Sequence, residues 1–196
     1  RGIQVAEQAG LPILFGMRRP EDWPLAQQLA LLRPGDIVTY CFRSQPHCII
    51  ESGKVLDCIR EARHRGIVFD IGHGTSAFCF EVALAAIEDG FPPDTISTDL
   101  QRFHLDQVTG HDLPRVMSEL RAAGMSELEV FAAATSRPAS LLQRVDVGVL
   151  RADATADLTV LQAASRMPIG NAAAGPRAGV LWTPALVVKQ GAVVVP

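Results

Sequence analysis

His73 stands between Gly72 and Gly74, directly after the apolar run Gly66–Ile71. Glycines on both sides let the backbone turn sharply and approach a ligand closely. An imidazole in that position reads as a metal or substrate contact, against the plainer reading of a loop histidine beside a turn. Asp99 closes the run Thr95–Thr98. A carboxylate at the end of an apolar strand carries a desolvation cost unless it meets a metal or a cation. Its plainer reading is a turn or helix-capping aspartate. Asp70 is a residue of the same kind, and capping suits it better.

Ser97, Thr98, Thr75 and Ser76 could act as nucleophiles only beside a base, and the chain has no Gly-x-Ser-x-Gly elbow. Gly72-x-Gly74-x-x-Ala77 matches a dinucleotide fingerprint only superficially, without the later acidic residue that the fingerprint needs. Cys41 and Cys79 read as packed thiols. His47, His64, His104 and His111 read as solvated side chains, with His104 and His111 placed to rim a pocket.

The elements that must position these residues follow one rhythm over residues 1–145. Short β-branched runs at Pro12–Phe15, Asp36–Phe42, Gly66–Ile71 and Thr95–Thr98 are bounded by Gly, Pro or Asp, as buried parallel strands are. Between them lie stripes at helical spacing: Leu25, Leu29 and Leu32; Val55, Ile59 and Ala62; Phe78, Val82, Ala85 and Ala86; Leu113, Val116, Met117 and Leu120. Ile3–Gln8 reads as the end of a further helix stopped by Gly10. Alternating strand and helix means α/β with a parallel sheet, whose site lies in the loops after the strands. A closed (β/α)8 barrel needs eight such units and typically about 250 residues. The four units here are therefore an open doubly wound sheet or the second half of a barrel, and an opening in mid-helix favours a half-barrel cut from a longer chain. Residues 146–196 change pattern. Gly148–Leu150, Asp157–Leu161, Leu186–Lys189 and Ala192–Val195 read as short strands, and Ala163–Gly179, rich in Ala, Gly and Pro, as a loop.

Composition narrows the partners. The 196 residues are 48% hydrophobic and 20% charged, enough to bury a core. A net charge of −3 without a Lys/Arg cluster argues against nucleic acid or an anionic membrane as partner. Aromatic residues at 6% do not make a base-stacking platform. No apolar run approaches the roughly 20 residues of a membrane span. Cys41, Cys48, Cys58 and Cys79 form no Cys-x-x-Cys pair, so reduced thiols and a cytoplasmic location are expected.

Several segments in order resemble one family: Gly10-Leu11-Pro12, Leu32-Arg33-Pro34-Gly35-Asp36-Ile37-Val38-Thr39, Phe69-Asp70-Ile71-Gly72-His73-Gly74, Ile96-Ser97-Thr98-Asp99-Leu100, Asp112-Leu113-Pro114-x-x-Met117-Ser118, Ala133-Ala134-Thr135 with Pro138-Ala139, and Ala156-Asp157-Leu158-Thr159-Val160-Leu161. From about residue 8 to the C-terminus the series resembles the amidohydrolase superfamily, in its dihydroorotase-like amidohydrolase/deacetylase group. The resemblance implies the C-terminal half of a TIM-like (β/α)8 barrel, strands five to eight, with part of a small β-sandwich. It implies a metal-dependent hydrolase of C–N bonds acting on a small-molecule amide or cyclic amide, with a divalent metal, zinc by preference, as cofactor. It assigns Asp99 as metal ligand and catalytic base, and His73 and Gly74 to the substrate.

The chain departs from that pattern where the family places histidines after strands five and six. Gly16 stands at the first position, and Thr39-Tyr40-Cys41-Phe42 replaces Thr-His-Cys-Phe at the second. Gln101 stands where a further histidine is frequent. Glycine offers no ligand, and a phenol is a poor zinc ligand near neutral pH. Two rivals follow: a pseudoenzyme that keeps the barrel and a small-molecule pocket, and an open flavodoxin-like binding domain.

Overall fold

The computed structural model describes residues 1–106, 111–169 and 177–195. Its contacts cluster into two units, Arg1–Asp94 and Thr95–Pro196.

In the first unit α1 (Gly2–Ala9) ends at Gly10, whose φ of 64° is the left-handed cap expected there. Strands β1 (Leu14–Gly16), β2 (Ile37–Thr39) and β5 (Val68–Phe69) form a parallel sheet in the order β1-β2-β5. Gly16 pairs with Thr39 and Val38 with Phe69, which sets the ends of neighbouring strands side by side. Helices α2 (Leu25–Ala30), α3 (Asp57–His64) and α4 (Phe80–Glu88) bury the predicted stripes: Leu25 and Leu29, Ile59 and Ala62, Val82 and Ala86. With Val38, Phe42, Phe69, Ile71, Phe80 and Phe91 these make the core. Leu14 on the edge strand is 65% exposed. A hairpin of β3 (Ile50–Glu51) and β4 (Lys54–Val55), absent from the sequence reading, turns through Ser52 and Gly53, both at positive φ.

The second unit carries α5 (Leu113–Ala122), α6 (Glu127–Ala134), α7 (Ser136–Leu141) and an antiparallel sheet of β6 (Leu158–Ile169), β7 (Arg177–Lys189) and β8 (Ala192–Val195). Asp112 caps α5 by accepting from the Arg115 backbone N–H at 2.9 Å, and Ser126 with Glu129 forms a capping box on α6. Ser118 ties α5 to the sheet, because its Oγ accepts from the Trp182 backbone N–H at 2.9 Å and donates to the Pro114 carbonyl at 2.7 Å.

Three sequence expectations need correction. Thr95–Thr98 holds a single bridge residue, Thr95, and no strand. Gly148–Leu150 is a bend. The Ala163–Gly179 segment is not a loop at its two ends, since Met167, Pro168 and Ile169 pair with Gly179, Ala178 and Arg177; residues 170–176 lie outside the described part. Ladder pairing with a partner strand overrides a composition that favours turns. Among the described residues no helix is long and apolar enough to cross a membrane.

A buried carboxylate fixes the approach of β1 and β2. Asp36, with its side chain 1% exposed, accepts from the backbone N–H groups of Ile13 and Arg33, each at 2.8 Å, and pairs with the Arg33 guanidinium at 2.9 Å. Burial alone would raise its pKa; the Arg33 side chain and the two N–H donors outweigh burial and hold it below the usual carboxylate value. A depressed native pKa stabilises the fold above the unfolded pKa and loses that contribution as pH falls through the native one. Asp36→Asn is therefore expected to cost about 2–3 kcal/mol at pH 7. In urea titrations the deficit should shrink as the pH drops below about 4; an equal deficit at pH 7 and pH 3 would contradict this role.

Candidate functional site

The carboxyl ends of the parallel strands lie beside one another, and the residue after the central strand fills the space between them. Tyr40 follows β2 with a φ of 67°, a conformation that costs a non-glycine residue about 1–2 kcal/mol. One edge of its ring faces Gly16 at the end of β1: a Cβ there would lie 3.1 Å from Cε2 of Tyr40. The opposite edge faces Gly72, where a Cβ would lie 2.7 Å from Cδ1 and 2.9 Å from Cε1 and would also collide with Oγ1 of Thr39. The ring is thus wedged between Gly72, where no side chain fits, and Gly16, where a Cβ would be in tight contact with the ring edge. The Arg43 guanidinium stacks over the same ring, 4.4 Å from its centroid.

Beneath the ring, Thr39 Oγ1 donates to Oδ2 of buried Asp70 at 2.7 Å. Asp70, read as a cap, is instead a core carboxylate tied to the neighbouring strand. Cys41 is buried beside it, and burial, reinforced by the Asp70 charge, pushes its thiol well up from the ordinary value. All four cysteines are free thiols.

His73 follows Gly72 as expected, half-buried. Its Nδ1 lies 2.9 Å from the Gly74 carbonyl, and its ring stacks on Phe78 at 4.5 Å. A carbonyl only accepts, so this bond selects the Nδ1–H tautomer and leaves the lone pair on Nε2.

Asp99 belongs to the second unit and sits half-buried at a φ of 49°. Around it the histidines read as solvated do structural work. His111 Nε2 donates to the Thr98 carbonyl at 2.7 Å, and the His111 and His104 rings lie 4.2 Å apart. His104 is 2% exposed, and its Nδ1 accepts from the Gln101 backbone N–H at 2.9 Å. In the first unit His47 Nδ1 accepts from the Arg19 backbone N–H at 2.9 Å. Irregular backbone leaves N–H and carbonyl groups to be satisfied, and an imidazole can serve either kind. The sequence carried no signal for these pairings beyond the presence of the histidines.

The strand ends do not fit a zinc ion. Gly16 supplies no donor atom, and Tyr40 would have to lose a proton whose reference pKa is about 10. Among the described residues no three His, Cys, Asp or Glu side chains gather closely enough to hold a metal ion. Reasoning from sequence gave Gly72 a turn and gave Arg43 no role; the structure makes them the slot and the cover of the Tyr40 ring.

No family model matches the chain. The chain is 35% identical over 138 residues to a deacetylase of Enterococcus faecalis, a stretch covering 69% of this chain and 37% of that protein. Among solved structures, an adenine deaminase superposes with a TM-score of 0.88 at 28% identity, over 99% of this chain and 54% of its own. A dihydroorotase superposes with a TM-score of 0.80 at 30% identity, over 98% and 53%. The chain spans less than two fifths of the length of the curated relatives it matches. Likeness over nearly the whole chain sets aside a flavodoxin-like domain and agrees with the ordered motifs: the chain belongs to the amidohydrolase superfamily.

Proposed function

We propose that the protein containing this chain hydrolyses a C–N bond of a small-molecule amide, by deacetylating an N-acyl compound or opening a cyclic amide. The observation that carries this reading is the 35% identity to a deacetylase. Residues 1–145 would supply the barrel units five to eight, the last of them reduced to the Thr95 bridge, and 146–196 the C-terminal part of the sandwich. Asp99 is the general base that takes a proton from the attacking water and passes it to the leaving amine. His73, held by the Gly74 carbonyl, contacts the substrate, and the Gly74 backbone lets the turn approach it. A divalent metal, zinc by family resemblance, would polarise the amide carbonyl, and Asp99 is the ligand this chain would offer. The first unit's strand ends do not fit such an ion.

The wedged Tyr40 favours a second reading, a pseudoenzyme that binds a small molecule without hydrolysing it. Asp99→Asn in the intact protein separates the two. Asparagine tolerates the left-handed backbone at this position, so the substitution removes the base and leaves the turn. The expected result is at least about a 100-fold loss of kcat on N-acyl and cyclic amides, with the variant still folded by circular dichroism. Full activity of the variant overturns the role of Asp99. Calorimetric binding of such amides by a wild-type protein that cleaves none of them supports the second reading.

A further inference from the structure

Three features meet at one point of the first unit. Gly16 ends β1, Tyr40 follows β2, and Gly72 begins the turn after β5, and the Tyr40 ring joins all three. Gly16 has no positive φ that demands glycine, so its lack of a side chain is explained by the ring 3.1 Å from its would-be Cβ. The two departures from the family pattern are therefore one packing event. A side chain at 16 would press on the edge of the Tyr40 ring, which is held on its other edge by Gly72. Arg43 then places a permanent cation against the same ring.

We infer that Gly16, Tyr40 and Gly72 form an interlocked plug that takes the space of two imidazole ligands, so that this chain supplies no ligand to a metal ion at the ends of β1 and β2, where the positive charge is that of Arg43. This rests on the superfamily reading, because only that reading makes positions 16 and 40 ligand positions. It goes beyond that reading by assigning a reason for the loss and a replacement for it. Tyr40 is a filler of the pocket and the seat of the Arg43 guanidinium; it is not a metal ligand.

Two measurements on the intact protein test the inference. The first is a thermal double-mutant cycle, which depends on packing alone. Gly16→Ala should lower Tm in the wild type, because the new methyl meets the ring. In a Tyr40→Ala background the same change should raise Tm, because the clash is gone and alanine restricts the unfolded chain. The same effect in both backgrounds overturns the interlock. The second is metal content by elemental analysis after zinc loading. Gly16→His with Tyr40→His should gain about one zinc ion per chain over the wild type, since zinc takes neutral imidazoles among its roughly four ligands. No gain overturns ligand replacement even if the cycle shows coupling, and then it is the superfamily assignment of positions 16 and 40 that fails. A zinc-loaded wild type showing the ultraviolet difference spectrum of a tyrosinate, lost in Tyr40→Phe, overturns the inference from the other side, with Tyr40 as a ligand.

Discussion

The Tyr40 ring, pressed edge-on between Gly16 and Gly72, is the contact around which the strand ends of the first unit are arranged. It accounts for features that otherwise look unrelated. Glycine ends β1, a tyrosine holds a left-handed backbone, and the turn carrying His73 opens with a glycine at a φ of 51°. An aromatic ring in a well-packed site offsets the cost of its own backbone conformation, which packing interactions of a few kcal/mol readily do. The hydroxyl of Thr39, locked onto Asp70, forms one wall of the slot and keeps Gly72 from accepting any side chain.

Around this contact the sheet is built from strands of two or three residues, and carboxylates take over where the ladder stops. Oδ1 of Asp36 receives the Ile13 N–H just before β1, and Oδ2 of Asp94 receives the Phe69 N–H at the end of β5, both at 2.8 Å. Oδ2 of Asp89 receives the Val55 N–H of the hairpin at 2.9 Å and pairs with Arg60, while Oδ1 pairs with Lys54, and these partners hold the carboxyl well below the usual range. Each aspartate satisfies a backbone donor that a longer strand would have satisfied by pairing. The strand ends are thereby freed from regular geometry, and irregular backbone at strand ends is where α/β folds place their chemistry.

Helices α1 to α5 were legible because helical spacing of apolar residues is a property of the local sequence, whereas α6 and α7 were not read from it. Leu25 with Leu29, Ile59 with Ala62, and Val116 with Met117 and Leu120 are buried as their spacing demands. The ends of strands were not legible, because the aspartates that stop them come from distant segments. Thr95–Thr98 has strand composition without a ladder, and Met167–Ile169 has a ladder without strand composition. At the site, Gly16 and Tyr40 were visible as two departures from a pattern. That the Tyr40 ring lies against Gly16 could be seen only in the structure. His104 and His111 are a parallel case, since nothing in the sequence ties His111 to the Thr98 carbonyl.

The central claim is that a tyrosine plug stands where a metal's imidazole ligands would be. Zinc-edge anomalous diffraction from crystals of the intact protein grown with excess zinc tests it most directly. The account predicts no anomalous peak within bonding reach of Tyr40, with the ring seated between Gly16 and Gly72. A peak about 2 Å from the Tyr40 phenol oxygen would contradict it.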